Sequence, residues 1–362
     1  MDKEKTIKDN IYVVSVTYGN RFRFLKQVIE GALKEGVCKV IVVDNNSVKE
    51  SRDKLVELER NNPKIKVIYL PENTGSAGGY KRGLKEAYND SGCEFIWLLD
   101  DDNVPECGAL NELLRVWNNI HKSSQSDFMA LLSLRKALIN VNWIKAISKK
   151  DPNLVFSKPG SFNGFYITNI ITKIQRILLS WINPKHELKV IENKIKSLKR
   201  KNVYYGQITF APYGGLFIHK NIIEKIGLPD EKLFLYADDL EWTHRIIKLG
   251  GEIFLCINSL IDDIDLSWGR KNKISLQIHA LLADSTDDFR VYYGIRNNIY
   301  LEEILSYHKH FMYKINKSLY IGLLKILSIL HNRNQRYNLI VKAVKDGETS
   351  NLEKLSENFT IV

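Results

Sequence analysis

The sequence predicts an α/β protein: a mixed, mainly parallel sheet flanked by helices, with a helical insertion and a helical C-terminal region. Three observations carry that expectation. Short apolar, β-branched runs recur through the first hundred or so residues, amphipathic helical patterns separate them, and each run ends in a cluster of polar residues. Such runs suit strands buried on both faces of a parallel sheet. Their alternation with helices marks βαβ units in a doubly wound sheet.

The strand runs are Ile11–Thr17, Lys39–Val43, Lys66–Leu70 and Phe95–Leu99, and the helical patterns between them are Phe22–Leu33, Arg52–Leu58 and Tyr80–Tyr88. In open sheets of this kind ligands bind beyond the C-terminal strand ends. The sequence puts Thr17-Tyr18-Gly19-Asn20-Arg21, Asp44-Asn45-Asn46-Ser47, Pro71-Glu72-Asn73 and Asp100-Asp101-Asp102 there. Residues 149–163 read as a loop. Beyond it Ile167, Ile170, Ile171, Ile174, Ile177, Leu178 and Trp181 make one apolar helical face, followed by a basic stretch from Lys185 to Lys201. Gly206–Cys256 resumes the α/β pattern, and from Asp288 the chain reads as mostly helical. The expected organisation is a catalytic domain over 1–287 and a helical region over 288–362. The first divides into a nucleotide-binding half (1–105) and an acceptor half (106–287) that carries the basic insertion (150–204).

Among 362 residues, 53 Lys and Arg oppose 42 Asp and Glu, a formal net charge of +11. That excess suits phosphate-bearing partners: nucleic acid, an anionic membrane surface or a polyanionic substrate. The sequence carries no recognisable helix-turn-helix, zinc-finger or RNA-recognition signature, so no nucleic-acid partner is expected. Cys38, Cys93, Cys107 and Cys256 form no CxxC pair and read as reduced thiols. No signal peptide or membrane span is legible, so the expected location is the cytoplasm.

Asp100-Asp101-Asp102 directly follows a buried strand. Carboxylates crowded there repel one another, and a cation is the natural compensation. Hard oxygen ligands suit Mg²⁺ or Mn²⁺, ions that share their shell with substrate phosphates; strand alternation puts Asp100 and Asp102 on one side. Asp44 has a carboxylate able to accept from a base or ribose, or to cap the next helix. Thr17, Tyr18 and Arg21 line the same edge, with Tyr18 suited to stacking. Asn73-Thr-Gly-Ser-Ala-Gly-Gly, containing Gly75 and Gly78, opens a helix whose N-terminus favours a diphosphate, or else makes a plain tight turn. With Asp101 these residues form the nucleotide-binding set. Asp238 and Glu241 fit a capping box, which leaves Asp239 free as a general base. Trp242, Arg290 and Arg296 are candidates for acceptor or diphosphate contact; the segment from Asp288 that carries the two arginines reads first as a structural helix docked on the catalytic domain, and the arginines could also meet an acidic neighbour. His244 reads as structural.

Together these residues resemble the family-two glycosyltransferases of the GT-A fold, most of all the bacterial branch that transfers galactofuranose or rhamnose onto surface polysaccharides. The likeness runs through VSVTYGNR near Val14, VVDNNS at Asp44, ENTGSAGGYKRG from Glu72, LLDDDNVP at Asp100, YGGLFIHK from Tyr213, GLPDEKLFLYADDLEW from Gly227 and RVYYGIRNN from Arg290. The resemblance implies that Thr17, Arg21 and Asp44 hold the nucleoside, that Asp100 and Asp102 bind Mn²⁺ or Mg²⁺, and that Asp239 deprotonates the acceptor. It implies inversion in a single displacement, with UDP-galactofuranose as first donor and dTDP-rhamnose as second. Relatives often supply a histidine to the metal after the base-bearing helix. Here that stretch reads Ser259-Leu-Ile-Asp-Asp-Ile-Asp-Leu-Ser-Trp, leaving Asp263, Asp265 or water as third ligand.

The implied partners are a nucleotide-diphosphate sugar and a glycan or lipid-linked acceptor. The Ile167–Trp181 stripe reads either as a helix docked on an anionic membrane or as one packed on the main domain. The apolar segment around Tyr320–Leu330 is open to three readings: a contact between copies in a homo-oligomer, a core helix, or a second membrane contact. Two other function classes are an inactive nucleotide-sugar-binding module and a nucleic-acid binder. Retention of the triple Asp and of Asp239 argues against the first, and the missing signatures argue against the second.

Overall fold

The computed structural model describes residues 10–124, 127–136, 141–168, 186–265, 281–282 and 287–355. They form two compact units: one drawn from Met1–Phe156, Ile191–Glu231 and Asp239–Gly269, the other from Ser157–Val190, Lys232–Asp238 and Arg270–Val362. Most of the Ile167–Trp181 stripe, and Trp268 of the histidine-free stretch, lie outside the described residues.

The first unit is built on a nine-stranded sheet, counted among the described residues. Its strands are β1 (Ile11–Thr17), β2 (Lys39–Asp44), β3 (Ile65–Tyr69), β4 (Phe95–Leu98), β5 (Asn103–Pro105), β6 (Met129–Arg135), β7 (Tyr205–Ile208), β8 (Leu216–His219) and β9 (Glu252–Asp263). The order is β3-β2-β1-β4-β8-β6-β9-β5, with β7 also paired to β9. β1, β2, β3 and β4 are mutually parallel; β8 runs against both β4 and β6, and β9 is parallel to β6. Six strands therefore share one direction, and their C-terminal ends lie along one edge. The four apolar runs foreseen in the sequence are β1 to β4, correct to about a residue.

The helices are α1 (Phe22–Lys34), α2 (Lys49–Asn61), α3 (Gly75–Asn89), α4 (Ala109–Ser124), α5 (Val141–Lys149), α6 (His186–Arg200), α7 (Asn221–Ile226) and α8 (Asp238–Lys248). α1 buries Leu25, Val28, Ile29 and Ala32, the i, i+3, i+4, i+7 stripe of a helix lying on a sheet. The buried Glu35 carboxylate accepts from the Gly108 and Leu110 N–H groups (2.7 and 2.9 Å) at the start of α4, where free amides and the helix dipole favour a negative charge. α2 and α3 run longer than their periodicity predicts. For α3 the reason is packing: a Cβ on Gly79 would lie 2.5 Å from a Val16 methyl, and one on Gly83 2.4 Å from a Val14 methyl. These glycines, poor helix formers by propensity, let the helix approach β1 closely. β6 escaped the sequence reading altogether.

The second unit contains α9 (Asp288–Ile304), α10 (Phe311–Leu330) and α11 (Asn334–Glu348). α9 has no clean apolar stripe because it is buried on most sides, from Val291 to Glu302. Phe234, Phe289 and Tyr293 form an aromatic cluster with ring centroids 4.7–5.2 Å apart, and Phe162 meets Tyr313 and Tyr320 edge-on at 5.4 Å.

Gly83→Ala should destabilise the protein by about 1–3 kcal/mol, the usual penalty for overpacking. A denaturant midpoint equal to wild type would show that α3 does not need the close approach.

Candidate active site

The C-terminal edge of the parallel strands gathers acidic side chains from three places. β4 runs into Asp100-Asp101-Asp102, β9 ends at Asp263, and Asp265 follows it. Arg21, just before α1, is the main counter-charge. Its Nε donates to both carboxylate oxygens of Asp101 (2.8 and 2.9 Å), one terminal nitrogen to Asp102 (3.1 Å) and the other to Asp265 (2.6 Å). Asp101 also accepts from the Thr17 hydroxyl (2.8 Å) and is almost wholly buried. Arg135, at the end of β6, donates to Asp100 (3.2 Å) and through two nitrogens to Asp263.

Asn103 knits the turn together: its amide donates to Asp263 (2.8 Å) and Asp102 (3.2 Å), and its side-chain oxygen accepts from the Asp100 N–H (3.2 Å). The Tyr80 hydroxyl donates to the other Asp100 oxygen (2.8 Å), and its ring packs on Tyr213 at 4.1 Å. Gly214 sits directly against this group; a Cβ there would lie 2.2 Å from Asn103 Oδ1 and 2.5 Å from Asp100 Oδ2.

Among the described residues two guanidinium groups thus face five carboxylates in this cluster. Burial, then the charges of Asp100 and Asp101, push the Asp102 carboxyl up to about 7 against the pull of the arginines. Burial likewise raises Asp101, opposed by Arg21. No group of three His, Cys, Asp or Glu side chains among the described residues is arranged to enclose an ion. The donor chemistry nevertheless fits a divalent cation: hard carboxylate oxygens, a surplus of negative charge, and one buried Asp263 oxygen without a hydrogen-bond partner. Of the triad, Asp100 is the most open, with 35% of its side chain exposed against 14% for Asp102. Asp101 is consumed by Arg21 and Thr17. Asp263 and Asp265, the two candidates for a third ligand, are both tied to arginines.

A second part of the edge follows β2. Asp44 is fully buried and accepts from the Ser47 N–H (2.9 Å) and from Arg52, which also donates to the Leu70 carbonyl (2.8 Å). Asn45 clamps the turn before α3. Its oxygen accepts from the Thr74 N–H (2.8 Å), and its amide donates to Asn73 (3.1 Å) and to the Gly75 carbonyl (2.9 Å). Gly75 has φ +71°, which only glycine adopts without strain, and a Cβ on Gly78 would meet the Thr74 side chain at 2.5 Å. Tyr18 is 36% exposed beside this edge, its ring 5.6 Å from the Arg21 guanidinium carbon.

Asp239 comes from the first turn of α8. Thr243 fixes that turn: its hydroxyl lies within hydrogen-bond distance of the Asp239 and Ala211 carbonyls (2.8 and 3.0 Å) and accepts from the Ala211 N–H (3.1 Å). Burial pushes the Asp239 carboxyl up to about 6; the Leu240 N–H opposes this, and the nearby charge of Asp100 adds to it.

Several sequence expectations need correction. Asp238 is the first residue of α8, and the Glu241 carboxylate holds Arg245 (2.8 and 2.6 Å). Trp242 is fully buried, its Nε1–H donating to the Gly227 carbonyl (2.9 Å), and offers no acceptor platform. Arg296 is also fully buried. Its terminal nitrogens donate to the carbonyls of Lys232, Leu233 and Glu353 (2.9–3.1 Å), so it is not available to a diphosphate. Arg290 pairs with Asp287 and donates to the Tyr236 hydroxyl (3.1 Å). His244 stacks on Phe210 at 4.9 Å, in keeping with its structural reading.

The reading missed Arg135, Asn103, Tyr80, Gly214 and Arg52 as site residues. Arg135 had a signal, an arginine ending the apolar run MALLSLR. Asn103, Tyr80 and Gly214 lay inside motifs already singled out.

The C-terminal edge of the parallel strands thus carries a buried carboxylate cluster, and Asp239 stands in the first turn of α8. Residues 12–126 match the family described as glycosyl transferase family 2. Over 296 residues it is 25% identical to dTDP-rhamnosyl transferase RfbF of Shigella flexneri, covering 80% of this chain and 79% of that one. Similar solved structures include GalNAc-T7 with UDP, GalNAc and Mn²⁺ (TM-score 0.45, 11% identity), where the likeness covers 70% of this chain but only 43% of the other. S. aureus TarS residues 1–349 gives TM-score 0.44 and 14% identity over 98% of this chain and 94% of that one. Mannosyltransferase PcManGT from Pyrobaculum calidifontis with GDP-Man and Mn²⁺ gives 0.48 and 11% over 93% and 86%.

Arg21→Met should lower stability by about 3–5 kcal/mol without any ligand, because it leaves the buried Asp101 carboxylate unpaired. An unchanged melting midpoint would assign Arg21 to substrate contact alone.

Proposed function

We propose that this glycosyltransferase moves a sugar from a nucleoside-diphosphate donor to an acceptor hydroxyl of a bacterial surface polysaccharide or lipid-linked glycan, with inversion. The carboxylate cluster on the C-terminal strand edge is the observation that carries the reading. dTDP-rhamnose is the preferred donor, because the relative that aligns over most of the chain is a dTDP-rhamnosyl transferase. UDP-galactofuranose, favoured on the motifs alone, becomes the second choice.

Tyr18 and Arg52 border the space for the nucleoside, with the exposed Tyr18 ring available to stack on a base and Arg52 held by the buried Asp44. Asp100 and Asp102 would hold Mn²⁺ or Mg²⁺, which when bound stabilises the departing diphosphate. Arg21 and Arg135 favour the ionised carboxylates against the cost of burial and hold them in place before substrate arrives. Asp239 accepts the proton of the acceptor hydroxyl. The freed oxygen then attacks the anomeric carbon as the bond to the diphosphate oxygen breaks, in one displacement. A carboxyl with a pKa of about 6 is ionised at neutral pH yet more basic than an exposed aspartate, which suits a general base.

The first test is thermal stability with dTDP, UDP, GDP and CDP, each with and without Mn²⁺, on wild type and Asp102→Ala. A nucleotide at 100 times its Kd adds about 2.7 kcal/mol. Metal-dependent stabilisation by dTDP, absent in the variant, is expected; no response to any nucleotide would overturn the donor site. For the base, kcat/KM should fall about tenfold per pH unit below about 6 as Asp239 protonates, and Asp239→Asn should abolish turnover while keeping nucleotide binding. A variant that still turns over at the wild-type rate would remove Asp239 from the mechanism.

A further inference from the structure

α10 carries two opposed faces. Tyr313, Asn316, Tyr320, Leu324 and Ser328 are buried within its unit. On the other side Leu319, Leu323, Ile326 and Leu330 follow one another at spacings of four, three and four residues, the period of a single helical face. They are exposed: Ile326 by 58% and Leu330 by 70%, with Ile329 at 55% and Phe311 at 77% beside them. A continuous apolar strip of this kind marks an interaction surface.

Charge says what covers it. Between Glu303 and Asp346 the chain has no Asp or Glu but eight Lys and Arg, from Lys309 to Lys345. Some of these are tied to acids elsewhere in the unit, as Lys317 is to Glu348. Lys314 and Lys325 are exposed on α10 itself, adjacent by helical spacing to the exposed Phe311 and Ile329, and the Lys325 ammonium lies over the Tyr337 ring at 4.7 Å. A second copy of the chain is a poor occupant, because a two-fold contact through this face would bring the same lysines together. An apolar strip edged by lysines, on a helix without acids, is the pattern of a helix lying in a membrane interface. Lysine stems run along apolar surface while their ammonium groups reach headgroup phosphates. No described helix is long and apolar enough to cross a bilayer, so α10 lies on the surface.

We propose that the exposed face of α10 docks the protein on an anionic lipid surface, with Leu319, Leu323, Ile326 and Leu330 entering the headgroup–acyl boundary and Lys314 and Lys325 meeting phosphates. This rests on the second unit alone and is independent of the donor site.

The test is co-sedimentation of the full chain with phosphatidylcholine vesicles, with and without phosphatidylglycerol, alongside light scattering. Wild type should bind the anionic vesicles and not the neutral ones. Lys314→Gln/Lys325→Gln should weaken binding roughly twenty-five-fold, about five-fold per lysine. Leu319→Gln/Ile326→Gln/Leu330→Gln should weaken it more than about tenfold. These positions are exposed, so the melting midpoint should hold; if the triple variant does not fold, Ile326→Gln alone is measured. Asp102→Ala should bind vesicles like wild type, which separates this result from any failure of the donor site. Absent binding to anionic vesicles, equal binding to neutral ones, or binding unaffected by the apolar substitutions would each overturn the proposal. A wild-type dimer that the triple variant turns into a monomer would assign the face to a second copy instead.

Discussion

The contact between Arg21 and three carboxylates is the constraint on which the site depends. A carboxylate as buried as Asp101 persists in ionised form only with a paired, hydrogen-bonded cation, and Arg21 supplies a two-oxygen clamp on it. The planar guanidinium then has donors left for Asp102 and Asp265, so one side chain from the loop after β1 orders groups from the ends of β4 and β9. Lysine offers a point charge and no such fork. The arginines do not neutralise the cluster. Burial, and after it the charges of Asp100 and Asp101, hold the Asp102 carboxyl up to about 7 in spite of the two guanidinium groups.

Sheet topology explains how residues so distant in sequence meet. β8 is antiparallel between β4 and β6, so the chain reverses at Tyr213-Gly-Gly just before β8 begins, on the same edge where β4 and β6 end. Gly214 fits there because it has no side chain to displace Asp100 and Asn103. β9 pairs in parallel with β6 and antiparallel with β5, in a register that sets Asp263 opposite Asn103. The position of the carboxylates is thus a consequence of strand pairing and does not rest on loop conformation alone.

In the second unit, Phe234, Tyr236 and Ala237 all have positive φ, an unfavourable backbone for residues with a Cβ. Asn297 holds this segment through the carbonyls of Leu233, Leu235 and Tyr236 (2.7–2.9 Å), and Arg296 through those of Lys232 and Leu233. The strained stretch leads straight into Asp238 and Asp239. The RVYYGIRNN motif therefore has a structural reading: its Arg and Asn fix the backbone preceding the proposed base. Arg296 does so without a carboxylate partner among the described residues, its guanidinium over the Tyr293 ring at 4.6 Å, and burial lowers its pKa.

The sequence by itself determined the parallel half of the sheet, the strand ends where polar residues collect, and the identity of the acidic triad. Those features are local: buried strands need apolar β-branched runs, and the polar residues that follow them are visible in the order of the chain. What each polar side chain does was decided by tertiary structure. Asp101, grouped by the sequence with the nucleotide-binding residues, is claimed by Arg21 and Thr17, burial removes Trp242 and Arg296 from contact with a substrate, and Arg135 ends a strand whose place between β8 and β9 no local pattern encodes. Hydrogen-bond partners separated by 80 to 244 positions leave no periodic trace. Charge compensation in a low-dielectric interior is a property of the assembled edge, and only the folded chain fixes which acids are paired and which remain in excess.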